Sequence, residues 1–338
     1  MTADTILKVN GSGNQLAHSA EPELPPLLVI VGPTASGKTG LAIGLADYLP
    51  IEIVNADSRA FYRGMDVGTA KPSEAERQRV VHHLVDIMEP DVPMSASLFQ
   101  RLALETIGSI HDRGHVPALV GGTPQYVNAL VEGWRIPQVP PNHDRRRELE
   151  RDAETVGVTP LLERLTAVDP EGATRTGPNL RRIIRALEVF EATGVPFSQL
   201  RGRDDVPFRP LEFELWVPRK VLYRRIDARV DRMIEDGLVE EVRGLLAKGY
   251  DPALPAFSSI GYRQLMPAIA AGGDLGLGDS IERIKLDTHR LVRHQQTWFR
   301  KNDRLIRIDM TQADASARVV ERSIAHCAGF LERERDDG

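Results

Sequence analysis

The stretch Gly32-Pro33-Thr34-Ala35-Ser36-Gly37-Lys38-Thr39 fits the pattern G-x-x-x-x-G-K-[ST] in full and follows directly on the apolar run Leu27 to Val31. A strand that breaks into such a loop and then a helix makes a polyphosphate cradle. Its glycines let successive backbone N–H groups converge on phosphate oxygens, and Lys38 adds a point charge. The Thr39 hydroxyl can meet a magnesium ion, and the helix presents its positive end. All eight residues are candidate phosphate contacts, and loops of this kind usually serve ATP or GTP. Phosphoryl transfer needs a second carboxylate, at the end of an apolar strand, to help hold magnesium. The obvious strand, Val116 to Val120, runs instead into Gly121-Gly122-Thr123 with no aspartate. Asp57, in Asn55-Ala56-Asp57-Ser58-Arg59, closes the run Ile51 to Val54, where loops meet ligand above a parallel sheet. Kinases of small molecules hold the acceptor or its base there; a helix-capping or turn aspartate is the plainer alternative.

The elements that must position these residues are legible as short β-branched runs at Leu27 to Val31, Ile51 to Val54, Val116 to Val120, Leu211 to Val217 and Leu305 to Ile308, separated by helical patterns. Such alternation predicts an α/β fold, a P-loop NTPase-like parallel sheet flanked by helices. Helices are expected over 39–48 and 95–111. After Gly133, the prolines Pro137, Pro140 and Pro141 mark a linker, and from 141 to 205 the pattern is helical with no convincing strand. This predicts an α-helical insertion domain, with Leu180, Ile183, Ile184, Leu187 and Phe190 on its apolar face. The core is thus expected in two parts, 27–140 and 206–330, with residues 1–26 a flexible tail. A late helix, about 279 to 300, carries Ile281, Ile284, Leu291, Trp298 and Phe299 along one side and Arg283, Arg290, Arg293 and His294 along another. Trp298 and Phe299 read as core anchors, with base stacking the alternative.

The 338 residues, 41% hydrophobic and 27% charged, are those of a globular protein, and no apolar run reaches the length of a membrane span. The single cysteine, Cys327, rules out an internal disulfide framework and a cysteine metal site, so a reducing cytoplasm is expected. The net charge of −5 argues against a dedicated nucleic-acid coat. Arginines nonetheless cluster at Arg145 to Arg147, at Arg181, Arg182 and Arg185, and from Arg290 through Arg307, which leaves room for a local basic groove.

Asp57-Ser58, followed by Phe61-Tyr62-Arg63-Gly64-Met65-Asp66-Val67-Gly68-Thr69-Ala70-Lys71-Pro72, closely resembles the D-S-x-x-x-Y-R-G-M-D-I-G-T-A-K-P signature of the tRNA dimethylallyltransferases. The resemblance continues through His82-His83-Leu84-Val85-Asp86, Gly121-Gly122-Thr123, the Arg-Ala-Leu-Glu-Val run at 185 to 189, Ile260-Gly261-Tyr262-Arg263-Gln264 and Gln295-Gln296-Thr297-Trp298-Phe299-Arg300. It spans roughly residues 27 to 309 and departs from the usual pattern at Ala60, at Pro124-Gln125, at Leu180 and at His294.

The resemblance implies that the P-loop holds the diphosphate of dimethylallyl diphosphate, with Mg2+, while the N6 amine of adenosine 37 in the tRNA anticodon loop attacks the allylic carbon. Diphosphate is then the leaving group, and the cradle stabilises charge that develops as the C–O bond breaks. Asp57 matches the family's general base; Lys38 and Thr39 match the diphosphate and magnesium contacts; Arg229, in Arg225-Ile226-Asp227-Ala228-Arg229, is the arginine expected to reach the diphosphate from the other side. For tRNA, Asp57, Ser58, Arg59 and Ala60 correspond to the loop that receives the target base. Thr123 and Arg145 match single contacts, and Arg181, Arg182, Ile183, Ile184 and Arg185 match a contact segment of the insertion. A basic groove with a flipped adenosine is the expected arrangement, in a chain that acts as a monomer. The rival readings are an adenylate isopentenyltransferase, which has no need of a helical insertion or a basic late helix; a P-loop nucleotide kinase or ATPase, against which the missing strand-end aspartate argues; and a non-catalytic RNA-binding module, in which Asp57 would be idle.

Overall fold

The computed structural model describes residues 23–270 and 276–336. Its strands, in chain order, are β1 (Pro26–Val31), β2 (Ile51–Asn55), β3 (His82–His83), β4 (Val116–Gly121), β5 (Trp134–Arg135), β6 (Gly202–Arg203), β7 (Arg209–Trp216) and β8 (Ile306–Asp309). Six of them form one parallel sheet in the order β3-β2-β4-β1-β7-β8. β1 lies at its centre, and all six of its residues are buried, as a strand covered on both faces requires. Successive side chains point to opposite faces. Leu28 and Ile30 therefore pack with helices Lys38–Leu45 and Ala315–Asp336, whereas Leu27, Val29 and Val31 pack with Ala96–His111 and Pro124–Val131.

A third core joins helices Arg219–Glu235, Leu238–Ala247, Tyr262–Ala270 and Leu277–Phe299 to Tyr62 and Met65 of the loop after β2. The insertion has a core of its own, built by helices His143–Val156, Thr159–Val168, Pro170–Thr176 and Leu180–Thr193. Three of these helices start on side-chain caps that accept backbone N–H bonds: Asn142 from Arg145, Asp169 from Gly172 and Asn179 from Arg182. Among the described residues no helix is long and apolar enough to cross a membrane.

The structure departs from the sequence expectations in three places. His82–His83 adds an edge strand that its two residues were too short to announce. The stretch expected to hold no strand contains β6, which pairs antiparallel with β5 and so draws the two ends of the insertion together. The expected tail is shorter than 1–26: Pro26 opens β1, and Glu23 pairs with Arg209 at 3.0 Å. The remainder of that tail, residues 1–22, lies outside the described residues.

Candidate active site

The phosphate loop is set by backbone geometry that only particular residues supply. Gly32 has φ +156°, and a Cβ there would stand 2.9 Å from both the Leu215 carbonyl oxygen and Ser36 Oγ; Gly37 has φ +95° in the left-handed region. Ala35 adopts φ +65°, a strained value for a residue with a Cβ, and its carbonyl accepts a bond from Arg225 Nη1 at 3.2 Å. Lys38 Nζ donates to the carbonyls of Gly32 and Pro33, each at 3.0 Å. Ser36 Oγ is buried in the loop with no hydrogen-bond partner among the described residues, an unspent donor where an anion would sit. The Thr39 side chain is partly buried at the start of the helix.

Asp57 is held by its own neighbours. The Asn55 side chain accepts the Asp57 N–H at 3.0 Å and donates to the carbonyls of Asp57 (3.1 Å) and Leu84 (3.0 Å). Asp57 Oδ1 accepts the Arg59 N–H at 3.0 Å, so the aspartate does serve its turn, but with one oxygen; among the described residues Oδ2 has no hydrogen-bond partner. Thr123 Oγ1 accepts the Ser58 N–H at 3.1 Å. Pro124 takes the first position of the helix that Thr123 opens, where a missing N–H costs nothing. The Arg59 guanidinium is spent on the Pro255 carbonyl and Ser258 Oγ, both at 3.1 Å.

These loops face a single cleft of about 1320 Å³, lined by Thr34, Asp57, Ser58, Arg59, Gly122 and Thr123 on the sheet side and by Arg229, Arg290, His294, Gln295 and Trp298 on the helical side. Lys38, Asp57 and Arg229 lie within electrostatic reach of one another. Burial lowers the Lys38 ammonium from 10.5 to about 8, an effect that Asp57 opposes and Arg229 reinforces. Burial likewise lowers Arg229, and Asp57 opposes it. One carboxylate thus acts electrostatically on two cations in a partly desolvated setting, which suits a site that binds a dianionic leaving group and also needs a proton acceptor.

The positions expected to contact tRNA divide. Asp57, Ser58, Arg59 and Thr123 line the cleft. Ala60 is 5% exposed, and Ile183 and Ile184 are 0% and 3% exposed in the core of the insertion, so at these three positions the side chain is turned away from the surface. Arg145 is ion-paired with Glu191 and Glu148. Arg185 is tied to the Pro137 and Val139 carbonyls and to Glu188, so it splints the linker. Arg181 and Arg182 are exposed, with side chains unpartnered among the described residues. Phe299 is a core residue, while Trp298 both packs against the core and lines the cleft.

Four supporting residues escaped sequence reasoning. Buried Gln295 bonds to the backbone of Thr34 and Gly122, and its neighbour Gln296 to the Val217 carbonyl and the Arg219 side chain. Glu241 accepts the N–H groups of Asp66, Val67 and Gly68 and the Tyr262 hydroxyl, which fixes the loop 64–72. Asp287, 8% exposed, gathers Arg263, Arg283 and Arg290 at the rim. Gln295 and Gln296 carried a sequence signal, the motif that runs to Arg300, but it did not say what their amides bond.

A family model described as IPP transferase matches residues 60–302. A tRNA dimethylallyltransferase of Chloroflexus aurantiacus is 52% identical over 276 residues, covering 81% of this chain and 93% of the relative. One of Thermomicrobium roseum is 48% identical over 314 residues, covering 93% and 94%. Among solved structures, a full-length tRNA isopentenylpyrophosphate transferase of Bacillus halodurans superposes with TM-score 0.65 at 36% identity, covering 92% of this chain and 98% of that one. A eukaryotic dimethylallyltransferase acting on tRNA gives TM-score 0.72 at 25% identity, covering 91% and 80%. A P-loop without its strand-end carboxylate, an aspartate coupled electrostatically to two cations, and likeness over nearly the whole chain converge: this chain belongs to the IPP transferase family, that of the tRNA dimethylallyltransferases.

Proposed function

We propose that this chain transfers the dimethylallyl group of dimethylallyl diphosphate to N6 of adenosine 37 in the tRNA anticodon loop and releases diphosphate, with Mg2+ as cofactor, as a monomer in the cytoplasm. The observation that carries this reading is that Asp57 and Arg229 line one cleft with Thr34 of the phosphate loop, within electrostatic reach of Lys38. The allylic C–O bond breaks and its electron pair leaves with the diphosphate. The N6 lone pair forms the new C–N bond, and the N6 proton passes to Asp57 Oδ2, the oxygen that the turn leaves unspent. Lys38, the loop amides and Arg229 bind the diphosphate and stabilise the charge it gains.

The loop suits a magnesium diphosphate. It offers the hydroxyls of Thr39 and Ser36, oxygen donors of the kind a hard cation takes. When bound, magnesium would screen the diphosphate and ease its departure. Exposed Arg181 and Arg182 are two insertion arginines available to hold RNA phosphates and position the loop. Incubating the protein with labelled dimethylallyl diphosphate and either unmodified tRNA or AMP tests the reading. Label on tRNA at adenosine 37 is expected; label on AMP alone makes the protein an adenylate isopentenyltransferase.

A further inference from the structure

Gln295 lies in the helix Leu277–Phe299 and is 7% exposed, yet both ends of its amide are used on loops from opposite halves of the reaction. Its Oε1 accepts the backbone N–H of Thr34, in the phosphate loop, at 3.0 Å. Its Nε2 donates to the carbonyl of Gly122, after β4, at 2.8 Å. The fit is close: a Cβ on Gly122 would stand 2.8 Å from that nitrogen. The residue after Gly122 is Thr123, whose hydroxyl accepts the N–H of Ser58, next to Asp57. A chain of three hydrogen bonds thus runs from an amide of the diphosphate cradle, through one buried side chain, to the turn that carries the base. The neighbouring Gln296 bonds the Val217 carbonyl and Arg219, and neither loop.

From this juxtaposition we infer that Gln295 is a positioning residue that couples filling of the phosphate loop to seating of the acceptor beside Asp57. The inference rests on the transfer reaction proposed above. Diphosphate oxygens that engage the loop amides fix the Thr34 peptide, and a fixed Thr34 fixes Gln295 and with it Gly122 and Thr123. Ordering of the acceptor turn is then already complete when RNA arrives, so the second ligand meets a smaller entropic cost than the first. Coupling of this kind is reciprocal.

The test measures binding of an anticodon stem-loop RNA, with unmodified adenosine 37, in the absence and presence of saturating dimethylallyl thiolodiphosphate and magnesium. In the native protein the analogue is expected to tighten RNA binding about tenfold, within the usual range of coupling between sites. In Gln295→Leu, which loses both bonds, the ratio is expected to fall below about twofold. Gln296→Leu also loses two buried hydrogen bonds and is expected to lower Tm while keeping the native ratio. A ratio of one in the native protein, or a native-like ratio in Gln295→Leu, overturns the inference. Should Gln295→Leu not fold, Gln295→Glu takes its place: it keeps the acceptor for Thr34 but loses the donor to Gly122, so its ratio should fall as well, and a retained ratio overturns the inference. Turnover on tRNA measured alongside separates the two readings, since a native protein that binds both ligands cooperatively but does not alkylate tRNA fails the proposed reaction alone.

Discussion

Replacing Asp57 by Asn separates the base from the scaffold. Asn can still accept the Arg59 N–H that Asp57 Oδ1 accepts at 3.0 Å, and its backbone still bonds Asn55, so the turn should persist and Tm should stay within about 1 °C. The substitution removes proton acceptance and one negative charge. Losing a general base typically costs ~100-fold or more in rate, which is about 2.7 kcal/mol of barrier. The charge has the opposite effect on the donor. Asp57 supports the protonated forms of Lys38 and Arg229 and would repel a diphosphate bound near them. Its loss should drop the Lys38 ammonium further below about 8, yet remove that repulsion, so at pH 7 diphosphate should bind as tightly as before or more tightly. The assay is single-turnover transfer to tRNA with both substrates saturating, paired with calorimetric titration of magnesium diphosphate. A rate within tenfold of native, or a loss of diphosphate affinity in step with the rate, would refute the assignment of Asp57 as base.

Three further outcomes are expected. Glu52 is held at about 2: burial alone would raise it, but Arg113, His83 and His115 donate to its carboxylate and overcome burial. Because the folded value lies below 4.5, its stabilisation is complete above that pH and fades as pH falls towards 2. Urea unfolding should show a loss of roughly 3 kcal/mol over that window that Glu52→Gln does not show. Arg181→Ala and Arg182→Ala should each lower the slope of log K against log salt for tRNA by about 1, measured by filter binding; Arg185→Ala should instead lower Tm, because the Pro137 and Val139 carbonyls lose their donor. Gly68→Ala would place a Cβ 2.6 Å from the Tyr262 ring, which is fully buried, so a cost of about 1–3 kcal/mol in thermal unfolding is expected.

The sheet was readable because each long strand is a short apolar run ended by a turn residue, and the cradle because its glycines and lysine have a fixed spacing. Asp57 was readable from its place at a strand end. What was hidden depends on contacts between distant residues. Nothing local in Glu241 announces three N–H groups more than 170 residues away, nor in Gln295 a pair of loops. In the insertion, neighbours within one segment face different ways. Ile183 and Ile184 lie between arginines in a segment matched as a whole, yet helical periodicity turns them inward while Arg181 and Arg182 turn out. Periodicity had already marked them as apolar-face residues.

The position of β1 between β4 and β7 has a consequence for the order in which the chain is made. Strands β2, β3 and β4 emerge soon after β1 and can cover one of its edges, but its other partner, Arg209–Trp216, is made only after the whole insertion. Until then the run Pro26–Val31 carries an open, apolar edge, the kind of edge that pairs with the wrong chain. The insertion can use that interval to form its own core, and closure of Trp134–Arg135 against Gly202–Arg203 then returns the nascent chain to the sheet six residues before Arg209 pairs with Pro26. The two-residue clasp therefore sets where the insertion leaves the sheet and where the chain comes back to it.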